Sequence, residues 1–198
     1  MNEFRNCSES SRNRRVYGVD LDGVVFNFVT PFSAYLKRNL NINYDDKDIV
    51  DYHWYNCIPG LEKAKFYKMF YDFCANGDFQ DLKPLPGAKV AVDTLLDCGQ
   101  VYFITSRPEI TRFDSLVSLK RYFKIKDDQL IIAEKSKVDD VIRLRVTHFI
   151  DDAPRNVEEV ATHTGANVYL MDQPYNKEVK HPGVIRISSW LEMLERVS

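Results

Sequence analysis

Two carboxylates stand two residues apart in the stretch VYGVDLDGVV, residues 16 to 25, as Asp20 and Asp22, with Gly23 directly after them. Apolar and β-branched residues lead up to Asp20, which is the pattern of a buried strand stopping at a sharp polar turn. In an open parallel α/β sheet the C-terminal strand ends form the ligand crevice, so acids placed there can hold a metal ion or present a reactive carboxylate. A solvated D-x-D turn, with Gly23 supplying a positive φ, carries the same local signature. The residues that follow separate the two readings.

They come in a definite order. The apolar run VYFI, 101 to 104, ends in Thr105 and Ser106, which bring a hydroxyl and free backbone N–H groups to its tip. Lys137 opens a later helical segment, and THFI, 147 to 150, ends in the pair Asp151 and Asp152. D-x-D, then Thr/Ser, then Lys, then an acid pair resembles the motif order of the haloacid dehalogenase-like (HAD) phosphohydrolases. Receiver domains also phosphorylate an aspartate on a doubly wound sheet, but they place their acid pair before the lone Asp. Lys135 is the rival to Lys137, which better matches the superfamily's spacing before the acid pair.

Positioning these groups takes one well-packed sheet. The chain has 198 residues with 44% hydrophobic content, enough for a full core plus an insertion of domain-like size. A net charge of -2 advertises no surface for polymeric nucleic acid or membrane. Cys7, Cys57, Cys74 and Cys98 have no C-x-x-C spacing, which reads as reduced thiols in a cytoplasmic protein. The scattered histidines argue against zinc. No window has the apolar length of a membrane span. Residues 1–14 lack the apolar core of a signal peptide and read as a disordered tail.

The expected architecture is α/β, a doubly wound and mainly parallel sheet with a small helical cap inserted after the first strand. Residues 15–27 and 84–198 form the catalytic core and residues 28–83 the cap. Within the cap, helices are expected over 28–40 and 61–75, joined by the aromatic loop DYHWYNCIPG. Phe66, Met69, Phe70 and Phe73 recur at helical spacing, a stripe expected to face the core. After DLKPLPGA the alternation is regular, with helices over 88–96, 109–123, 137–144 and 155–163 and strands over 101–104, 129–132, 147–150, 167–171 and 184–187. SSWLEMLERV closes the chain as a helix, with Ser189 and Glu192 at capping-box spacing.

The combination DLDGVVFNF, DLKPLPGA, FITSRP, the lysine-led helix and FIDDAPRN is similar to the 5′(3′)-deoxyribonucleotidase branch of that superfamily over roughly residues 16 to 190. One departure stands out. Several members of the branch carry an arginine directly after the acid pair, where this chain has Ala153 and then Arg155 two residues on.

The residue types suit phosphate-ester hydrolysis. A phosphate monoester is dianionic at neutral pH, so a carboxylate attacks it only with a cation screening the repulsion, and Mg²⁺ with its hard oxygen ligands fits. Asp20 would be the nucleophile and a metal ligand. Asp22 would protonate the leaving oxygen and then activate water, while the resemblance implies that its backbone carbonyl faces the metal. Thr105, Ser106 and Lys137 would hold phosphoryl oxygens. Asp151 or Asp152 would complete the metal shell, and the other would orient Lys137 or act through water.

Phe28, Trp54 and Arg155 are the candidates for contact with the rest of the substrate, with core packing the competing account of Phe28. Three functions are consistent with this set: a Mg²⁺-dependent 5′-nucleotidase, a phosphatase for another small ester such as a sugar phosphate, and a silent binding module. The last would be expected to have lost a motif residue, and none is missing. A homodimer is compatible with the sequence.

Overall fold

The computed structural model describes residues 15–197. The reading of residues 1–14 as a tail therefore lies outside the described residues.

Six parallel strands form the sheet in the order β3-β2-β1-β4-β5-β6: β1 Val16–Val19, β2 Gln100–Thr105, β3 Leu130–Ile132, β4 His148–Asp151, β5 Asn167–Met171 and β6 Val184–Ile187. Chain order runs outward in both directions from β1 and β4, so the switch point of this doubly wound sheet lies between them. Register then decides what meets there. Val19 pairs with Phe103 on one side and Ile150 on the other, which brings Asp20, Thr105 and Asp151 to the same edge of the sheet.

Helices connect the strands: α1 Val29–Leu40, α2 Lys63–Ala75, α3 Ala88–Cys98, α4 Arg112–Tyr122, α5 Lys137–Arg143, α6 Pro154–His163 and α7 Trp190–Val197. Three of the starts that differ from the sequence expectation do so for local reasons. Phe28 is the flanking residue of α1 rather than its first turn. Leu61 is pulled into the turn after Pro59-Gly60, where its N–H donates to the Ile58 carbonyl at 3.1 Å and its side chain is buried. The helix expected from residue 109 opens as a 3₁₀ turn over Glu109–Thr111, because the Thr111 N–H and hydroxyl both donate to the Pro108 carbonyl, at 2.9 and 2.8 Å.

The segment inserted between β1 and β2 leaves and returns past a single antiparallel bridge of Phe26 with Pro84. Asn27 N–H donates to Lys83 O at 2.9 Å, and Leu85 N–H to Val25 O at 2.8 Å. The inserted segment does not close a core of its own. One apolar cluster runs from Tyr17, Val19 and Phe103 on the sheet through Phe79 to Phe32, Trp54 and Phe73 of the insertion. A second cluster, with Ile104, Phe149, Val157 and Leu170, fills the other face. Burial of large side chains on both faces, at ~25 cal/mol per Å² of apolar surface, is what holds the strand ends in place. Among the described residues no helix is long and apolar enough to cross a membrane, and Cys57 and Cys74 are free thiols.

Candidate active site

β1 is short, and the chain turns immediately after Asp20. Val25 N–H and Phe26 N–H both donate to the Leu21 carbonyl, at 2.9 and 2.7 Å, and Gly23 N–H reaches back to Phe26 O at 3.0 Å. The turn needs φ of +75° at Gly23, which a side chain rarely adopts. Space forbids one as well, since a Cβ there would lie 2.2 Å from Asp152 Oδ2. From the far end of the chain, the buried Trp190 Nε1–H donates to Val24 O at 2.9 Å and pins the turn.

Lys137, the first residue of α5, extends its ammonium between two carboxylates. It donates to Asp20 Oδ1 and, at 2.7 Å, to Asp151 Oδ2, and all three residues are buried. The preceding Ser136 caps the helix, its hydroxyl accepting from Val138 N–H at 3.2 Å, which fixes where Lys137 begins its reach. Asp20, Asp151 and Asp152 each offer an oxygen within 4.8 Å of the others. Three buried acids against one ammonium leave an excess of negative charge in a site shielded from water.

The protonation behaviour follows from that imbalance. Burial, only partly offset by Lys137 and reinforced by Asp151 and Asp22, pushes the Asp20 carboxyl up to about 7. Burial followed by the charges of Asp20 and Asp151 holds Asp152 well above the usual carboxylate range. Lys137 moves up instead: burial alone would lower it, but Asp151 and Asp20 outweigh that. A hard cation with oxygen ligands fits this donor set, since it would neutralise charge that the chain leaves uncompensated.

The acid pair is not symmetric. Asp151 is fully engaged, with Oδ1 accepting from Ala153 N–H at 2.8 Å and Oδ2 from Lys137 and from Asn156 Nδ2 at 3.1 Å. Asp152 accepts the Tyr175 hydroxyl on Oδ2, and its backbone carbonyl is held by Asn176 Nδ2 at 2.9 Å.

At the tip of β2, Thr105 is buried and Ser106 exposed, both on the crevice wall. The next residue was given no role by sequence reasoning. Arg107 is almost completely buried and clasps Asp22 with two parallel bonds, Nε to Oδ2 at 2.8 Å and Nη2 to Oδ1 at 2.6 Å. The signal was an arginine following T-S at a strand tip, yet nothing in FITSRP says whether it points into solvent or beneath the crevice.

Above these groups opens a cavity of about 250 Å³ with a mainly apolar lining. Phe28 lies on its wall, half-buried and stacked parallel to Phe79 with centroids 5.8 Å apart. Trp54 lines it too, but is only 5% exposed and packs on Phe28 and Phe32 at 6.0 and 5.3 Å. The α2 stripe divides. Met69 and Phe73 are buried as expected, whereas Phe66 and Phe70 are half-buried and face the cavity. Tyr52, His53 and Tyr175 complete the aromatic rim.

Arg155 is not brought into this cavity. It is exposed and donates along its own helix to Glu159 Oε1 at 2.7 Å. The lining residue is its neighbour Asn156, because one step along a helix turns a side chain by about 100° and only one of the two can face the crevice.

The geometry has relatives. Solved structures similar in fold include a haloacid dehalogenase-like hydrolase from Streptococcus pneumoniae (TM-score 0.65, 14% identity, covering 96% of this chain and 100% of that one). A Pseudomonas syringae hydrolase aligns with TM-score 0.62 at 14% identity, over 93% of this chain and 98% of the other. In sequence, YqfW of Bacillus subtilis (strain 168) is 23% identical over 181 residues, 90% of this chain and 91% of that protein. BH1399 of Halalkalibacterium halodurans is 23% identical over 189 residues, 91% of each chain. Both are named as candidate nucleotidases. The family model described as 5′ nucleotidase, deoxy (Pyrimidine), cytosolic type C protein matches residues 14–197, and the chain belongs to that family, as a phosphoric monoester hydrolase on a HAD-like fold.

Proposed function

We propose that the protein hydrolyses nucleoside or deoxynucleoside monophosphates with Mg²⁺ through an aspartyl-phosphate on Asp20. The observation that carries this reading is the buried cluster of Asp20, Asp151 and Asp152 around Lys137, opening directly into an aromatic-lined cavity. The Deinococcus radiodurans HAD family hydrolase of similar fold (TM-score 0.59) holds phosphate and sodium.

Asp20 and Asp152 would hold the metal, together with the backbone carbonyl of Asp22, which the resemblance assigns to it. Asp152 is favoured over Asp151 because both oxygens of Asp151 are already bonded within the chain. When bound, Mg²⁺ screens the repulsion between a carboxylate and a dianionic phosphate.

Asp20 attacks phosphorus as the ester P–O bond breaks, and the Asp22 carboxyl gives its proton to the departing oxygen. The Thr105 hydroxyl, the Ser106 N–H and Lys137 hold the phosphoryl oxygens as charge spreads over them. Asp22 then takes a proton from the water that releases phosphate from Asp20. Asp151 orients Lys137, through the 2.7 Å bond between them.

Phe28, Phe66, Phe70 and Trp54 would form the wall on which a base or sugar rests. A phosphate-release panel of nucleoside monophosphates and sugar phosphates, each with Mg²⁺ and with chelator, tests the reading. Turnover confined to nucleotides and abolished by chelator is expected. Preference for sugar phosphates would overturn the substrate assignment, and full turnover in chelator the metal.

A further inference from the structure

We infer that Arg107 is a positioning residue whose guanidinium fixes the orientation of the Asp22 carboxylate for proton transfer at the ester oxygen, an inference that rests on the hydrolytic reading above. Asp22 lies in the loop after β1 and is the more exposed partner, its side chain 25% accessible against 1% for Arg107. A carboxylate on such a loop would sample several rotamers if left to itself. Arg107 removes that freedom, because its own freedom is gone.

Nη1, the nitrogen outside the fork that grips Asp22, donates to the buried Ser115 hydroxyl at 2.8 Å. The guanidinium carbon sits 4.2 Å from the ring centroid of the fully buried Phe79. Arg107 N–H also bonds the Thr105 hydroxyl at 3.2 Å. The fork is therefore anchored on α4 through Ser115, on the returning limb of the insertion through Phe79, and on the phosphate-facing strand tip through its own backbone. A planar fork holds a carboxylate in one plane, which a lysine ammonium does not do.

In the first step the Asp20–phosphorus bond forms and the ester P–O bond breaks, and Asp22, in its protonated form and still held by the fork, gives its proton to the leaving oxygen and becomes the carboxylate seen here. A nucleoside alkoxide needs that proton, whereas 4-nitrophenolate leaves without it. Arg107→Met should therefore lower kcat/KM for a nucleoside monophosphate by ~10- to 100-fold while changing kcat/KM for 4-nitrophenyl phosphate by less than about threefold. Arg107→Lys, which keeps the charge and guards against misfolding of the methionine variant, should fall the same way with a smaller ratio. Free guanidinium ion added to Arg107→Ala should restore nucleotide turnover in part.

Equal losses on the two esters with no rescue would make Arg107 a structural plug and overturn the inference. Unchanged nucleotide turnover in both variants would overturn it too. If the wild-type protein cleaves the aryl ester but no nucleotide, the substrate reading fails. The alcohol ester it does prefer then takes the nucleotide's place in the same comparison.

Discussion

A methyl group placed on Gly23 would lie 2.2 Å from Asp152 Oδ2 and 2.8 Å from the Tyr175 hydroxyl. The turn that carries Asp22 and the loop that carries the second acid pair are thus packed to the point where a single glycine hydrogen separates them. Gly23→Ala combines that clash with a φ of +75° that alanine resists. The expected outcome is loss of nearly all turnover together with ~1–3 kcal/mol of stability, read by phosphate release and urea unfolding. A variant with full activity would mean that the two loops have room to separate.

Asp20→Asn should abolish turnover and leave the fold intact, because the amide keeps the shape but is no nucleophile. Lys137 retains its Asp151 partner at 2.7 Å in the variant, so its charge is not stranded. Circular dichroism unchanged beside a turnover above about a hundredth of wild type would sink the covalent mechanism.

Mg²⁺ should stabilise the folded protein by mass action. Free ion a hundredfold above its Kd contributes about 2.7 kcal/mol, roughly 5 to 10 °C in melting temperature for a chain of this size. Asp152→Asn should remove most of the increment, since its carboxylate faces Asp20 and Asp151 with one side-chain bond of its own, to Tyr175. Differential scanning calorimetry with and without chelator reads this without any activity assay. A full increment in Asp152→Asn would move direct coordination to Asp151.

Recognition and stability should divide between two aromatic residues. Trp54 is 5% exposed, so Trp54→Ala should cost ~3–5 kcal/mol of folding stability and depress turnover of every substrate together. Phe70 is half-buried on the cavity wall, so Phe70→Ala should lose ~1–3 kcal/mol of stacking on nucleotides and spare 4-nitrophenyl phosphate. Matched losses on both esters for Phe70→Ala would place the base elsewhere.

At the opposite edge of the sheet, His148 sits between Tyr17 and Tyr169, with ring centroids 5.2 and 6.3 Å away. Burial, helped by Arg15, holds its pKa below the ordinary 6.5. The unfolded chain therefore binds a proton before the folded one does as pH falls. Stability tied to the neutral ring is fully present above about 6.5 and is lost as pH drops from there through the lower folded value. Measured across that window, the melting temperature of the wild type should fall with acidity relative to that of His148→Phe, whose ring takes up no proton. A wild-type advantage that grows with acidity would reverse the assignment.

The strand ends, the motif order and the family were legible in the chain because local chemistry writes them there. Apolar runs that stop at Asp20, Thr105 and Asp151 declare buried strands with polar tips, and alternation with helices implies parallel pairing. What the spacing could not convey is direction around a helix or across a crevice. Asn156 rather than Arg155 faces the cavity from α6, and Phe66 and Phe70 part from Met69 and Phe73 because one side of α2 opens onto that cavity while the other packs into the core. The asymmetry of Asp151 and Asp152 arises from donors on α5 and α6, and from Tyr175 beyond β5, all brought together by register. Arg107 meets Asp22 across 85 positions of sequence, a contact made only when β1 and β2 lie side by side and Phe79 and Ser115 close over the guanidinium.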